Sequence, residues 1–394
     1  MIERNLKASL LDAARHFPVV TVTGPRQSGK TTLCRATFPD LPYVSLERPD
    51  VRMRAIEDPL GFLAPMREGA ILDEVQRVPD LLSYLQGEVD ARPRPGRFVL
   101  TGSSNLMLLS AVSQSLAGRT ALLNLLPLGL DEVRRFPQHP ADLWTTVWTG
   151  GYPAIHDRQV PADDWLNAYL GTYVERDVRQ ILNVGDMIAF QTFLRLCAGR
   201  TGQLLNLSAL ASDAGIHHGT ARSWLSVLEA SYLVARLPPL LPNLNKRLVR
   251  TPKLHFLDTG LACALLGITS PDQLRTHPLR GPIFESWVVG EVWKARVHRG
   301  LPPSLGFYRD RGGLEADLVI ECGAGRMVLD AKSGQTVAPD ATRTLARVAS
   351  VLAGDPSRPR VVQLLGYGGD EPLTLGNVEV IPWDRVAQAN WTGA

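Results

Sequence analysis

The sequence predicts an α/β protein of more than one domain, with a nucleotide-binding parallel sheet in its first part. Three observations carry that expectation. Gly24-Pro25-Arg26-Gln27-Ser28-Gly29-Lys30-Thr31 fits the pattern G-x-x-x-x-G-K-[ST], the phosphate-binding loop of nucleoside triphosphatases. A short apolar strand ending in two acids, Ile71-Leu72-Asp73-Glu74, lies downstream, where the metal side of such a site belongs. At 394 residues the chain is long enough for about two to three domains.

Composition narrows the class. With 45% hydrophobic and 21% charged residues the chain reads as globular rather than disordered or fibrous. A net charge of +3 is too small by itself to imply a nucleic-acid partner. Cys34, Cys197, Cys263 and Cys322 are scattered without C-x-x-C spacing, which speaks against a zinc site or a disulfide framework and suits a reducing compartment. No apolar stretch is long enough to span a bilayer and no basic-then-apolar leader opens the sequence. The expectation is a cytoplasmic protein with no membrane partner.

Residues 3–16 have Leu6, Leu10, Ala13 and Ala14 at helical spacing and predict an amphipathic helix. Val19-Val20-Thr21-Val22-Thr23 is β-branched and apolar, as a buried strand requires. Residues 31–38 lack Gly and Pro and predict a helix that stops before Pro39. Strand, loop and helix are therefore in register. Gly24 and Gly29 let the backbone turn its N–H groups inward on an anion. Pro25, Arg26, Gln27 and Ser28 form the body of the loop, and Thr32 follows on the first helical turn. Lys30 would meet the β- and γ-phosphates of ATP and the Thr31 hydroxyl would ligate Mg²⁺. The positive end of the helix would face the phosphates.

Tyr43-Val44-Ser45-Leu46 predicts a short strand, and residues 48–66 predict helices and loops. In the strand that ends at Asp73-Glu74, Asp73 is the candidate metal-side acid and Glu74 the candidate base that polarises the attacking water. Alone such a pair is common surface chemistry; behind a phosphate loop it points to the nucleotide. Residues 97–105 predict the next strand, ending in Thr101, Ser103, Ser104 and Asn105. Ligands of α/β sheets sit at the carboxyl ends of strands, so these residues, Ser103 foremost, are candidates for sensing the γ-phosphate. Capping of a following helix is the alternative reading. Arg119 follows Gly118 and precedes the strand Ala121-Leu122-Leu123-Asn124-Leu125. It is a candidate catalytic arginine, reaching a γ-phosphate in its own subunit or a neighbour's; a solvated surface arginine is the alternative.

These stretches recur together. The phosphate loop with Arg-Gln inside it, the Leu-Asp-Glu strand, Thr-Gly-Ser-Ser, Leu-Ala-Gly-Arg, Leu-Pro-Leu at 126–128, and Gly-Gly-Tyr-Pro at 150–153 resemble a family of bacterial and archaeal AAA-type ATPases. Members carry a C-terminal domain of unknown function. Tyr173-Val174-Glu175-Arg176-Asp177-Val178 and residues 252–260 resemble the same family. The resemblance covers nearly the whole chain and implies an ATP-binding AAA core. For Tyr173 packing is the safer reading; Arg176 and Asp177 would pair or face the nucleotide.

Residues 138–142 form a polar, Pro-containing loop, read as a seam at the edge of the ATPase core, and residues 165–182 predict a helix. Residues 205–240 have winged-helix character, with Ser208 as cap of a first helix, Gly215 at the turn, a second helix over 220–229 and a strand over 232–237. A DNA-binding helix-turn-helix uses this arrangement. The second helix offers Arg222 as a fixed cation, with His217 and His218 beside it, and Lys246, Arg247, Arg250 and Lys253 lie downstream to supply phosphate contacts. An interdomain packing module is the alternative. His217 and His218 are not a metal pair, because adjacent helical residues do not share a face.

From Gly281 onward a second constellation appears. Glu285 shares a helix face with Val288, Val289 and Val292, a costly place for a carboxylate unless it is paired or protonated. Asp317 lies in the strand Leu314-Glu315-Ala316-Asp317-Leu318-Val319-Ile320, and Asp330 and Lys332 share one face of the next strand. Helix Glu, strand Asp and Asp-x-Lys resemble the restriction-endonuclease-like nucleases, with Asp330 in a slot where Glu is more common. The resemblance implies Glu285, Asp317 and Asp330 as Mg²⁺ ligands and Lys332 as the catalytic cation. A helix over 340–352 and strands over 360–365 and 376–381 suit the same fold.

The expected architecture is therefore an AAA-type P-loop core over residues 1–155, a helical and winged-helix middle over 156–250 and a restriction-endonuclease-like α/β domain over 251–394. The expected cofactors are ATP and Mg²⁺. The expected partner is DNA, with a homo-oligomer required if Arg119 acts in trans. Two other readings stay open: a DNA nuclease switched by ATP, and a non-enzymatic nucleotide-gated switch for a protein partner.

Overall fold

The computed structural model describes residues 2–103, 112, 115–172, 186–240, 251–323, 325–353 and 361–392. The chain forms two compact units: Met1–Leu128 with Ala230–Tyr232 and Val297–Leu301, and Gly129–Glu229 with Leu233–Arg296 and Pro302–Ala394. Among the described residues no helix is long and apolar enough to cross a membrane.

In the first unit the strands are β1 (Val19–Gly24), β2 (Tyr43–Ser45), β3 (Ala70–Asp73), β4 (Phe98–Ser103) and β5 (Thr120–Asn124). They form one sheet in the order β2-β3-β4-β1-β5, every neighbour parallel. Helices α1 (Leu6–His16), α2 (Lys30–Thr37) and α3 (Leu81–Ala91) flank it. One face buries Val19, Leu72 and Leu100 with Leu81, Leu82 and Leu85 of α3. The other buries Val20, Val22, Ile71 and Val99 with Leu6 and Leu10 of α1 and Leu33 of α2. Cover on both faces is why these strands read as continuous apolar runs rather than alternating ones. Because all strands run the same way, the ends of β1, β3 and β4 open on one edge, where an α/β sheet takes its ligand.

The second unit begins at Gly129, ahead of the seam expected at residues 138–142 and of the boundary expected at 155. The reason is burial: Leu130, Leu143 and Val147 belong to the same core as Trp287, Val288 and Leu329, so the polar loop joins two pieces of one core. Gly151 N–H and Leu261 N–H both donate to the Asp258 carboxylate, at 2.8 and 3.2 Å, and Thr259 Oγ1 donates to Val147 O at 2.6 Å. The two family-like stretches around 150 and 258 thus meet through one side chain.

Helices α4 (Met187–Ala198), α5 (Leu207–Asp213) and α6 (His218–Ala230) accompany the antiparallel sheet β6-β8-β7, made of β6 (Gln203–Leu204), between α4 and α5, and of β7 (Val234–Leu237) and β8 (Lys253–Phe256), after α6. Helix, turn, helix and strand appear over 205–240 in the expected order, with two corrections. Asn206, not Ser208, caps α5, accepting from Ala209 N at 3.0 Å. The last strand, β8, lies beyond the boundary expected at 250. Its backbone groups are satisfied by β6 and β7, which makes it part of this sheet. Trp224 of α6 packs edge-on against Phe190 and Phe193 of α4, at 5.1 and 5.5 Å between ring centroids.

The larger sheet has the order β13-β14-β12-β11-β10-β9. Its strands are β9 (Leu305–Arg309), β10 (Glu315–Cys322), β11 (Gly325–Lys332), β12 (Val361–Tyr367), β13 (Leu373–Leu375) and β14 (Val378–Pro382). Helix α7 (Arg280–Val297) covers one face, where Phe284, Trp287 and Val288 meet Leu318, Ile320, Leu329 and Leu364. Helix α8 (Pro339–Ala353) covers the other, where Leu345 and Val348 meet Val319, Val328 and Leu365. The β9–β10 register slips between Ala316 and Val319. Such an irregularity re-aims a side chain, and Asp317 is the residue inside it.

Candidate functional site

The phosphate loop runs from the end of β1 into the start of α2. Gly24 has φ +149°, and a Cβ there would lie 2.1 Å from Leu125 O, so a side chain is excluded on two counts. Gly29 has φ +93° and opens α2. Pro25 O accepts from Ser28 N at 3.4 Å, while Arg26 and Gln27 form the crest, with Gln27 exposed at φ +62°. Lys30 is buried, and its Nζ donates to Gly24 O at 3.0 Å and Pro25 O at 2.8 Å. Burial pushes its pKa down to about 8, against the pull of Glu74 and Asp73. Ser28 Oγ is buried without a hydrogen-bond partner. A loop whose lysine bonds only its own carbonyls, and whose serine is orphaned, fits an incoming anion.

Thr31 Oγ1 donates to Asp73, 3.1 Å from each carboxylate oxygen. These two candidate metal residues therefore face one point, although they are 42 residues apart. Glu74 follows at φ +59°, and its carboxylate meets Gln76 Nε2 and, at 3.5 Å, Ser103 Oγ. Gln76 Nε2 also donates to Ser103 Oγ at 3.0 Å. Glu74 and Ser103 thus come together across the ends of β3 and β4. Thr31 and Thr32 line a cleft of about 670 Å³ with Arg35, Phe38 and Tyr43.

Arg119 does not join this group. It precedes β5, whose Thr120 pairs with Val19 at the start of β1, whereas the phosphate loop follows the end of β1. A strand of that length separates them by about 16 Å. One guanidinium edge of Arg119, Nε and Nη2, donates to both oxygens of Asp90, at 2.5 and 2.8 Å. The expectation of a reach to the phosphate of its own subunit is corrected by strand polarity. Ser104, Asn105, Tyr173, Arg176, Asp177, Lys246, Arg247 and Arg250 lie outside the described residues.

In the second unit Glu285, Asp317, Asp330 and Lys332 do come together, lining a cleft of about 650 Å³ with Arg309 and Glu315. What they surround is a side chain. Lys253 Nζ lies 2.8 Å from Glu285 Oε1, 2.6 Å from Glu315 Oε1 and 3.1 Å from Asp317 Oδ1. The Lys253 side chain is 3% exposed, so it is not the DNA-phosphate contact expected from the sequence. Asp317 Oδ2 accepts from Ala331 N at 3.0 Å, and Lys332 Nζ pairs with Asp330 Oδ2 at 2.8 Å. Burial, then the Asp317 charge, push the Asp330 pKa up to about 7. Burial and then Asp317 likewise raise Glu285 well above the usual carboxylate range. Burial alone would lower Lys253, but Asp317, Glu285 and Glu315 outweigh it and keep the ammonium charged. His255, fully buried, is pushed down to about 3 by burial and then by Lys253, and is neutral.

Residues 16–134 match the AAA domain family, residues 140–272 a domain of unknown function (DUF8612) and residues 280–386 a domain of unknown function (DUF4143). "Uncharacterized protein Rv2008c" of Mycobacterium tuberculosis is 32% identical over 396 residues, covering 96% of this chain and 86% of that protein. The chain belongs to the AAA-type P-loop ATPases that carry a DUF4143 domain. "Uncharacterized protein Mb2031c" of Mycobacterium bovis matches to the same extent. Among solved structures, the Walker-type ATPase of Pyrococcus abyssi is similar at 16% identity and a TM-score of 0.42, covering 67% of this chain and 96% of that one.

Sequence reasoning missed several residues of this AAA-type ATPase. Tyr43 OH donates to Asp73 Oδ2 at 2.7 Å, beside Thr101, a γ-phosphate candidate from the sequence whose Oγ1 donates instead to Asp73 Oδ1. Arg4 donates to Ser28 O at 2.6 Å and to Leu126 O at 2.8 Å, fastening the phosphate loop from outside. No motif marks Tyr43 or Arg4; an arginine two residues before an apolar helical face is ordinary surface sequence. Lys253 was visible only as one basic residue among several.

Proposed function

We propose that the chain hydrolyses ATP with Mg²⁺ and couples the cycle to DNA through its winged helix. The observation that carries the ATPase reading is the Thr31–Asp73 pair beside the Lys30 loop, on the open edge of a parallel sheet. Thr31 and Asp73 would hold Mg²⁺, which would supply positive charge to neutralise the phosphates. Lys30 leaves its loop carbonyls to meet the phosphates, loop N–H groups and the α2 N-terminus orient them, and Glu74, positioned by Gln76 and Ser103, polarises the attacking water.

Lys30 makes this binding pH-dependent. Its depressed pKa means the amine is neutral above about 8, while a bound triphosphate requires the ammonium. Affinity for ATP is expected to be flat below pH 8 and to weaken by up to about tenfold per pH unit above it. Titration of a fluorescent ATP analogue at several pH values checks this, and a flat profile to pH 9.5, about 1.5 units above the shifted pKa, would remove Lys30 from the phosphates.

The DNA reading is supported by the winged-helix topology and by Arg222, exposed on α6 with His217 and His218. Steady-state ATP hydrolysis with single-stranded, duplex and four-way-junction DNA tests it; stimulation by one form that Arg222→Glu removes is the expected result. A rate that every DNA leaves unchanged favours the protein-switch reading, to which the scarcity of fixed cations on α6 already lends weight. The nuclease reading has less support, because the expected ligands Glu285 and Asp317 are engaged by Lys253.

A further inference from the structure

Glu285, Asp317 and Asp330, the residues that the sequence resemblance implies as Mg²⁺ ligands, line one cleft of the second unit. We infer that in this chain the resident cation is the Lys253 ammonium, and that the cleft takes no Mg²⁺.

The geometry is that of an ammonium. Oxygens of three carboxylates stand 2.6 to 3.1 Å from Nζ, the range of charge-assisted N–H···O bonds. Mg²⁺ demands oxygens at about 2.0–2.1 Å in near-octahedral array. Nor is Nζ free to leave. Its backbone pairs with Leu237 on one side and Leu204 on the other, which fixes Cα inside the β6-β8-β7 sheet. The ammonium also lies 5.5 Å from the centroid of the Phe307 ring. A metal entering the cluster would drive a buried charge into apolar surroundings or share the space with it; both are costly.

Three further carboxylate oxygens are engaged as well. Asp317 Oδ2 holds Ala331 N–H, Asp330 Oδ2 holds Lys332, and Glu315 Oε2 holds Arg309 Nη1 at 3.1 Å. Four carboxylates thus face the side-chain cations Lys253, Lys332 and Arg309, which leaves little uncompensated negative charge to attract a dication. Among the described residues no group of three or more His, Cys, Asp or Glu is spaced to hold a metal ion. A nuclease-like scaffold is here neutralised from within by one lysine of the neighbouring winged-helix sheet, and phosphodiester cleavage by metal-activated water is not a property of this cleft.

Mn²⁺ binding by the nucleotide-free full-length chain, read by electron paramagnetic resonance, tests the inference independently of ATP turnover. Wild type is expected to take up no Mn²⁺ that Asp317→Asn removes, up to about 1 mM. Lys253→Met is expected to gain one Mn²⁺ site at least about tenfold tighter than any in wild type, lost again when Asp317→Asn is added. A wild-type site below about 0.1 mM that Asp317→Asn abolishes would overturn the inference. So would a folded Lys253→Met chain that binds no more Mn²⁺ than wild type. Should Lys253→Met fail to fold, the comparison of wild type with Asp317→Asn decides alone.

Discussion

Lys30→Ala is expected to lower ATP turnover by at least about 10²- to 10³-fold, the loss that follows when a preorganised donor to developing negative charge is removed. The argument rests on where the ammonium sits before ATP arrives. It is buried, it bonds only the carbonyls of Gly24 and Pro25, and it carries a pKa already depressed by burial. Such a charge is poorly satisfied in the resting loop and gains most when phosphate oxygens replace those carbonyls. Its removal relieves a buried charge, so the first unit should stay folded. Phosphate release at saturating Mg²⁺-ATP, alongside circular dichroism, is the measurement. Thr31→Ala and Asp73→Asn should fall with it, whereas Arg119→Ala, held by Asp90 at the far edge of the sheet, should not in a monomeric preparation. Turnover that survives Lys30→Ala would mean that hydrolysis happens elsewhere.

Lys253→Ala is expected to destabilise the second unit by about 3–5 kcal/mol, because removing one partner of a buried ionic cluster strands the others. Glu285 and Asp317 would keep their burial and lose their cation. Glu285 can protonate, so a neutral partner should be tolerated better: Lys253→Met with Glu285→Gln should recover part of the loss. Urea unfolding followed by hydrogen exchange in β10 and β11 measures both. A Lys253→Ala chain as stable as wild type would show the cluster to be solvated and relaxed rather than locked. This stability result is distinct from Mn²⁺ uptake, which reports what may replace the ammonium.

Much of the first unit was legible because its signals are local. The loop pattern, the β-branched strand before it and the acid-ended strand after it each constrain a few neighbouring residues, and β1, α2 and β3 appear within a residue or two of expectation. In the second unit the order of β9 to β12 with α7 and α8 was legible for the same reason, from alternation and turn residues. What sequence could not show was direction and partnership across distance. For Arg119 the sequence leaves a reach to the phosphate and a solvated surface position both open, because strand polarity is invisible in a motif. Tyr43, Thr101 and Arg4 reach their partners only through the sheet. Lys253 reads as one phosphate contact among neighbouring basic residues, and no local pattern says that its side chain turns into carboxylates 32 and 64 residues away. Glu285 was flagged as needing a partner; the partner proved to be a lysine from another sheet rather than a metal.

Asp258 has a bearing on how the molecule can be taken apart. By accepting N–H groups from Gly151 and Leu261 with one carboxylate, it ties a turn to a helix 107 residues farther along the chain. A fragment cut between residues 155 and 156 would part that carboxylate from Gly151 and expose the core surface against which Leu143 and Val147 sit. Anyone grafting the second unit onto a different ATPase motor would need to place the splice before Gly129. The heritable module is therefore larger than the winged helix and the acidic cleft it carries.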